Sequence, residues 1–190
     1  MSPSVSSLDE LGPRICILGP SNAGKSTLAD AIARTYNTTA VHLDLLRHLP
    51  NTDWTMRSDE DFVSLHNEAI KESAWIMDGN YLSCSPQRLE RATGLILLEV
   101  HPIKCLWRYF RRTILEKKHR VGALEGNTDT VKWEMISWIV FQSHRTRTKL
   151  AKKYGECTIP KVKLSSKQAV DAFYEKNQLE RRGKTADTNR

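Results

Sequence analysis

The chain has 190 residues, a net charge of +7 from 29 Lys and Arg against 22 Asp and Glu, and 39% hydrophobic residues. That length suits one domain with a sizeable core, two at most, and no run of 18 apolar residues stands ready to span a bilayer. Four widely spaced cysteines with no C-x-x-C pair argue against a small disulfide-framed scaffold and point to a reducing, cytoplasmic setting.

Residues 1–13 are polar, carry Asp9 and Glu10, and lack an apolar stretch behind a basic one. We expect a flexible leader there rather than a targeting peptide. Arg14-Ile15-Cys16-Ile17-Leu18 is a short apolar run of the kind that forms a buried parallel strand. Next comes Gly19-Pro20-Ser21-Asn22-Ala23-Gly24-Lys25-Ser26-Thr27, which fits G-x-x-x-x-G-K-[ST], the phosphate-binding loop. Residues 26–36 then have helical spacing, so strand, glycine loop and helix start follow in the required order.

The chemistry explains each residue type in the loop. Gly19 and Gly24 let the backbone curl around an anion and turn its N–H groups inward. The helix that follows adds unpaired N–H groups and the positive end of its dipole. Lys25 is placed to reach the β- and γ-phosphates, and Ser26 to offer a hydroxyl to Mg²⁺. ATP with Mg²⁺ is therefore the expected ligand.

Further along, 39–44 reads as a second strand ending in Asp44, and 48–57 as a polar loop around Trp54. Ser58 with Asp61 caps a helix whose stripe is Phe62, Leu65, Ala69 and Ile70. A third strand, 74–79, ends in Asp78-Gly79, and 87–91 makes a short helix. The fourth strand, 95–100, ends near Glu99. Pro102 opens a long helix to about 119, residues 122–127 break it, and a second helix runs over about 130–154. Its Trp133, Ile136, Ile139 and Val140 recur at core-packing spacing. An edge strand over 158–164 tolerates Pro160, Ser165 caps a last helix, and the tail from 178 is polar.

Five strand–helix alternations predict an open α/β fold with a five-stranded parallel sheet. Ligands of such sheets sit at the carboxyl ends of the strands, and Gly19, Asp44, Asp78 and Glu99 all fall at or near such ends. Charge is uneven: 101–163 holds 15 Lys and Arg against 5 Asp and Glu, leaving the rest of the chain at −3. A basic segment suits either nucleic acid or a lid over polyphosphate. We place the lid at about 108–147 within one domain spanning 14–177, and treat nucleic acid as the less favoured partner. The histidines form no zinc pattern, and His42, His48 and His101 read as ordinary polar contacts.

A loop of this kind serves motors, switches and transferases alike. Asp78 ends an apolar strand, as the Mg²⁺-organising Asp of P-loop proteins does, but Gly79 follows where a motor ATPase places a water-activating Glu. No L-S-G-G-Q and no guanine-reading N-K-x-D is present. Phosphoryl transfer under a closing lid fits better, since water must be kept out.

The matching stretches extend beyond the loop: His42-Leu43-Asp44, Trp75-Ile76-Met77-Asp78-Gly79-Asn80-Tyr81, Arg88-Leu89-Glu90-Arg91-Ala92, Cys105-Leu106-Trp107-Arg108-Tyr109-Phe110-Arg111-Arg112 and Leu164-Ser165-Ser166. With these, the span from Arg14 to about Tyr174 resembles the P-loop family of DNA topology modulation proteins, within the adenylate kinase-like group of nucleoside monophosphate kinases. The resemblance implies sheet order 2-3-1-4-5, ATP·Mg²⁺ at the loop, a helical lid, and a small phosphoryl acceptor, by default a nucleoside monophosphate. Thr93 and Glu99 depart from it, standing where Asp is commoner.

On this reading Ser26 and Asp78 serve the metal. Asp44 binds the acceptor or takes its proton, or else caps the following turn. Arg108, Arg111 and Arg112 share a helix at spacings of three and four, where guanidinium forks suit a transferred phosphoryl group. A solvated basic face is the plainer alternative. Arg145 and Arg147 complete the clamp, Arg88 meets an acceptor phosphate, and Asn80 and Tyr81 line the acceptor pocket, unless Tyr81 closes the core instead.

Overall fold

The computed structural model describes residues 7–52, 54–115 and 143–181, without the side chains of 111–115 and 143–144. Its strands are β1 (Arg14–Leu18), β2 (Ala40–His42), β3 (Trp75–Asp78), β4 (Gly94–Leu98) and β5 (Lys161–Leu164). All pair in parallel, in the order β2-β3-β1-β4-β5. The helices are α1 (Leu8–Leu11), α2 (Lys25–Thr35), α3 (Leu43–Arg47), α4 (Asp59–Ala69), α5 (Ser85–Arg91), α6 (Pro102–Leu115), α7 (Ser143–Glu156) and α8 (Lys167–Lys176), with a 3₁₀ turn at Leu82–Cys84.

Successive strand residues face opposite sides of a sheet, and here the alternation feeds two cores. Ile15, Ile17, Ile76, Ile96 and Leu98 pack on one side with α1, α2 and α8 through Leu11, Leu28, Ile32 and Phe173. Cys16, Leu18, Trp75, Met77, Leu95 and Leu97 pack on the other with α3, α4, α5 and α7 through Leu43, Phe62 and Leu150. Each fully buried Ile or Leu contributes roughly 1.5–3 kcal/mol. A central strand such as β1 is therefore apolar on both faces. None of the described helices is long and apolar enough to cross a membrane.

Several boundaries differ from the sequence expectation. The leader is structured from Ser7: a capping box between Ser7 and Glu10 starts α1, and Leu8 and Leu11 are buried. At the other end Leu179 is still buried, its N–H donating to the Tyr174 carbonyl at 2.8 Å. Strand β2 stops at His42, because Leu43 turns into the core and opens α3; Asp44 thus lies in a helix's first turn, not on a strand. Helix α5 begins two residues before Gln87, with Pro86 in its first turn. On α4 the inward position belongs to His66, while Leu65 is exposed. Ser166, not Ser165, caps α8, its hydroxyl accepting from the Ala169 N–H at 3.0 Å. Residues 116–142, with the break and the core stripe expected there, lie outside the described residues, as do 182–190.

Candidate active site

Sheet periodicity decides which way the central carboxylate points. Asp78 shares the face of Ile76, two residues before it, and that face is covered by α2. The Ser26 hydroxyl, in the first turn of α2, donates to Asp78 Oδ2 at 2.8 Å. Two residues 52 positions apart thereby meet at the mouth of the glycine loop. Gly24, at φ +96°, is the residue that lets the chain enter α2 from the loop, a conformation costly for any residue with a Cβ. No side chain caps this helix start, so its first-turn N–H groups remain available to an anion.

The loop's cations rest on the loop's own backbone. Lys25 Nζ donates to the Pro20 carbonyl at 2.9 Å. Arg108, half-buried on α6, donates to the Ala23 carbonyl at 2.8 Å. Cys105, one turn before Arg108, is buried; burial raises its thiol pKa while the charges of Arg108, Lys25 and Arg147 act to lower it. Arg147 of α7 is half-buried. Arg145 is exposed. Arg111 and Arg112 lie on α6, with side chains outside the described residues.

Asn80 does something the sequence did not suggest. Its Oδ1 accepts from the Gly19 N–H at 3.2 Å and its Nδ2 donates to the Gly19 carbonyl at 2.9 Å. Both halves of the amide are thus spent on tying the β3 exit to the start of the loop, where an acceptor-pocket contact was expected. Arg88 meets the same turn. It is 1% exposed, and its NH2 donates to the carbonyls of Gly79 and Asn80 at 3.3 and 3.2 Å. Its Nε and NH1 are buried without a hydrogen-bond partner, and its charge opposes the burial that pushes the Cys16 thiol up to about 11. It braces the turn from behind instead of standing open to solvent.

Beyond the end of β3, Gly79 at φ +129° lets α3 close in, since a Cβ there would meet Leu43 Cβ at 2.8 Å. This presents Asp44, exposed, to Tyr81, whose hydroxyl donates to Asp44 Oδ1 at 2.7 Å. Burial, and then the nearby Asp44 charge, push the Tyr81 phenol well above its ordinary pKa, so it stays a donor. Its ring also packs at 5.0 Å from Phe62. Arg47, ion-paired to Asp59 at 2.6 Å and lying over the Phe62 ring, and Arg57, bonded through Nε to the Leu46 carbonyl, flank this region. Neither was singled out in the sequence.

His42 was read as an ordinary polar residue, yet its Nδ1 contacts Asp78 Oδ1. Burial works to lower its pKa, but the hydrogen bond and charge of Asp78, then Asp30 and Asp44, outweigh that and raise it. Glu99 accepts from Ser165 Oγ at 3.1 Å and pairs with Lys163 at 3.5 Å, both near the β5–α8 turn. Thr93 bonds Arg14 N and O at 2.9 and 3.1 Å, stitching β4 to β1.

No family model and no curated protein matches the chain. Among solved structures it is similar to the shikimate kinase from Acinetobacter baumannii in complex with shikimate, with TM-score 0.55 and 14% identity over 88% of this chain and 92% of that one. It is also similar to a gluconokinase from Sinorhizobium meliloti 1021, with TM-score 0.51 and 17% identity over 89% of this chain and 91% of that one. At such identities the likeness is one of fold: a five-stranded parallel α/β sheet in the order 2-3-1-4-5, as in P-loop kinases.

Proposed function

We propose that the protein is a P-loop phosphotransferase, adenylate kinase-like in plan, that moves the γ-phosphoryl group of ATP to a small acceptor. The observation that carries this reading is the Ser26–Asp78 contact at the mouth of the Gly19–Thr27 loop. A hydroxyl and a carboxylate, both hard oxygen donors, fit Mg²⁺, which takes few protein ligands and completes its shell from phosphate and water. Among the described residues no group of three His, Cys, Asp or Glu could hold a metal alone, which agrees with an ion brought by its nucleotide. When bound, that ion neutralises charge on the β- and γ-phosphate oxygens.

The chain's own part is binding, orientation and charge. Backbone N–H groups of the loop and the start of α2 hold the phosphates. Lys25 and Arg108 exchange their carbonyl partners for phosphate oxygens, which bind a full positive charge more strongly. Arg108 and Arg147 meet the transferred group and shield it from water, and the same two helices also carry Arg111, Arg112 and Arg145. Gly79, following Asp78, offers no carboxylate to activate water.

The acceptor presents a hydroxyl to Asp44, which takes its proton as the bond to phosphorus forms. The exposed Asp44 carboxylate, oriented by Tyr81, supports this. A nucleoside monophosphate, the default from the family resemblance, is the second reading. What favours it is Arg88, a buried guanidinium whose Nε and NH1 have no hydrogen-bond partner beside the Asn80 turn, since such a cation calls for an anion.

The test is to incubate the protein with Mg²⁺·ATP and a panel of nucleoside monophosphates, hydroxy acids and sugar acids, following ADP. One class of acceptor should raise ADP release far above the Lys25→Ala variant. If none does, the transferase reading is lost.

A further inference from the structure

The sheet register brings His42 to the metal carboxylate. Strands β2 and β3 pair so that Ala40, Val41 and His42 lie beside Ile76, Met77 and Asp78. His42 and Asp78 are therefore direct neighbours on the face toward α2, at the last position of each strand. The two side chains are 11% and 5% exposed, so water competes little for the contact. A carboxylate accepts and does not donate when ionised, so the ring's Nδ1 supplies the hydrogen.

Asp78 is thus held from two directions: Ser26 Oγ donates to Oδ2 and His42 Nδ1 to Oδ1. A carboxylate with one oxygen pinned still turns about its terminal torsion, which is broad. One with both oxygens pinned by groups on separate elements, α2 and β2, has its plane fixed.

We infer that His42 is a positioning residue that fixes the plane of the Asp78 carboxylate for the divalent ion carried by the nucleotide. The inference rests on the proposed role of Asp78. His42 touches neither nucleotide nor acceptor in this account; it acts through the carboxylate. Partners one shell beyond a metal ligand typically alter metal affinity about 10–100-fold when removed.

The test uses the full chain with a non-hydrolysable ATP analogue and Mn²⁺ as the probe, read by electron paramagnetic resonance. Two variants of similar polarity separate positioning from mere packing. In His42→Asn the amide nitrogen falls near the place of Nδ1; in His42→Gln it falls near Nε2, beyond reach of Oδ1. Mn²⁺ affinity in the nucleotide complex should drop about tenfold or more in His42→Gln and return to near the parent in His42→Asn. Metal-free analogue affinity should stay within about twofold in both, a split that loss of packing would not give.

Equal Mn²⁺ binding by His42→Gln and the parent overturns the inference, as does equal loss in both variants. If the parent itself binds Mn²⁺ no better with the analogue than without it, the Asp78 metal reading falls and takes this inference with it.

Discussion

The proposed donor half of the site, Gly19–Thr27 with Asp78, and the proposed acceptor half, Asp44 with Tyr81 and Arg88, share one edge of the sheet but are assembled by different means. The donor half is nine consecutive residues, proposed to bind through their backbone, plus one carboxylate. The acceptor half takes single side chains from α3, the β3 exit and α5, and depends on where a tight turn at Gly79 sets them. A phosphate cradle can therefore be carried intact by a motif, whereas an acceptor pocket exists only through packing. Asn80 joins the two, since it belongs to the acceptor-side turn and yet spends its amide on Gly19.

Removing the donor half's charge should have the largest effect. Lys25→Ala is expected to cut ADP production by roughly a hundred- to a thousandfold, the usual cost of losing one group that stabilises transition-state charge, with the thermal midpoint little changed. The acceptor half should break structurally instead. Gly79→Ala puts a methyl against Leu43 at a backbone angle that alanine resists, and should destabilise the fold by about 2–4 kcal/mol in urea titration.

The joint between the halves can be tested alone. Asn80→Ala removes two hydrogen bonds to Gly19 and should cost about 1–3 kcal/mol of stability. It should also weaken ATP binding by calorimetry, through the start of the loop that Asn80 holds. Unchanged ATP affinity would mean that the loop holds its shape without the acceptor-side turn.

The smallest effect lies in the layer beneath the acceptor side. His66 is fully buried, and burial, helped by the Arg88 charge, lowers its pKa below the ordinary 6.5. A histidine whose folded pKa is depressed is kept neutral in the native state, so the unfolded chain binds more protons below about 6.5 and stability falls as pH drops through that range. His66→Met should flatten the loss of stability between neutral and mildly acidic pH, as followed by thermal melts.

The five parallel strands and the place of the glycine loop between β1 and α2 were legible because they rest on short-range pattern: apolar runs, a glycine motif, strand–helix alternation; the strand order came from the family resemblance. The start of α1 was missed although Ser7 and Glu10 stand at capping-box spacing, because the polar composition around it suggested a leader. What stayed hidden depends on register and direction. That His42 lies beside Asp78 follows from strand pairing, and no local feature of His42-Leu43-Asp44 announces it. Asn80 and Arg88 were noticed as polar residues near the site, but their orientation toward Gly19 and the Gly79–Asn80 carbonyls comes from a turn whose geometry the sequence does not print. The inward place of His66 on α4 ran against polarity, because Leu65 looked the better core residue.

Calorimetric titration of ATP into the intact protein, with and without Mg²⁺, tests the central claim most directly, together with the Asp78→Asn variant. Binding should tighten on adding Mg²⁺ in the parent, and the tightening should vanish in Asp78→Asn while metal-free binding persists. A parent that ignores ATP in the presence of Mg²⁺, or a variant that keeps the full magnesium response, would contradict the account.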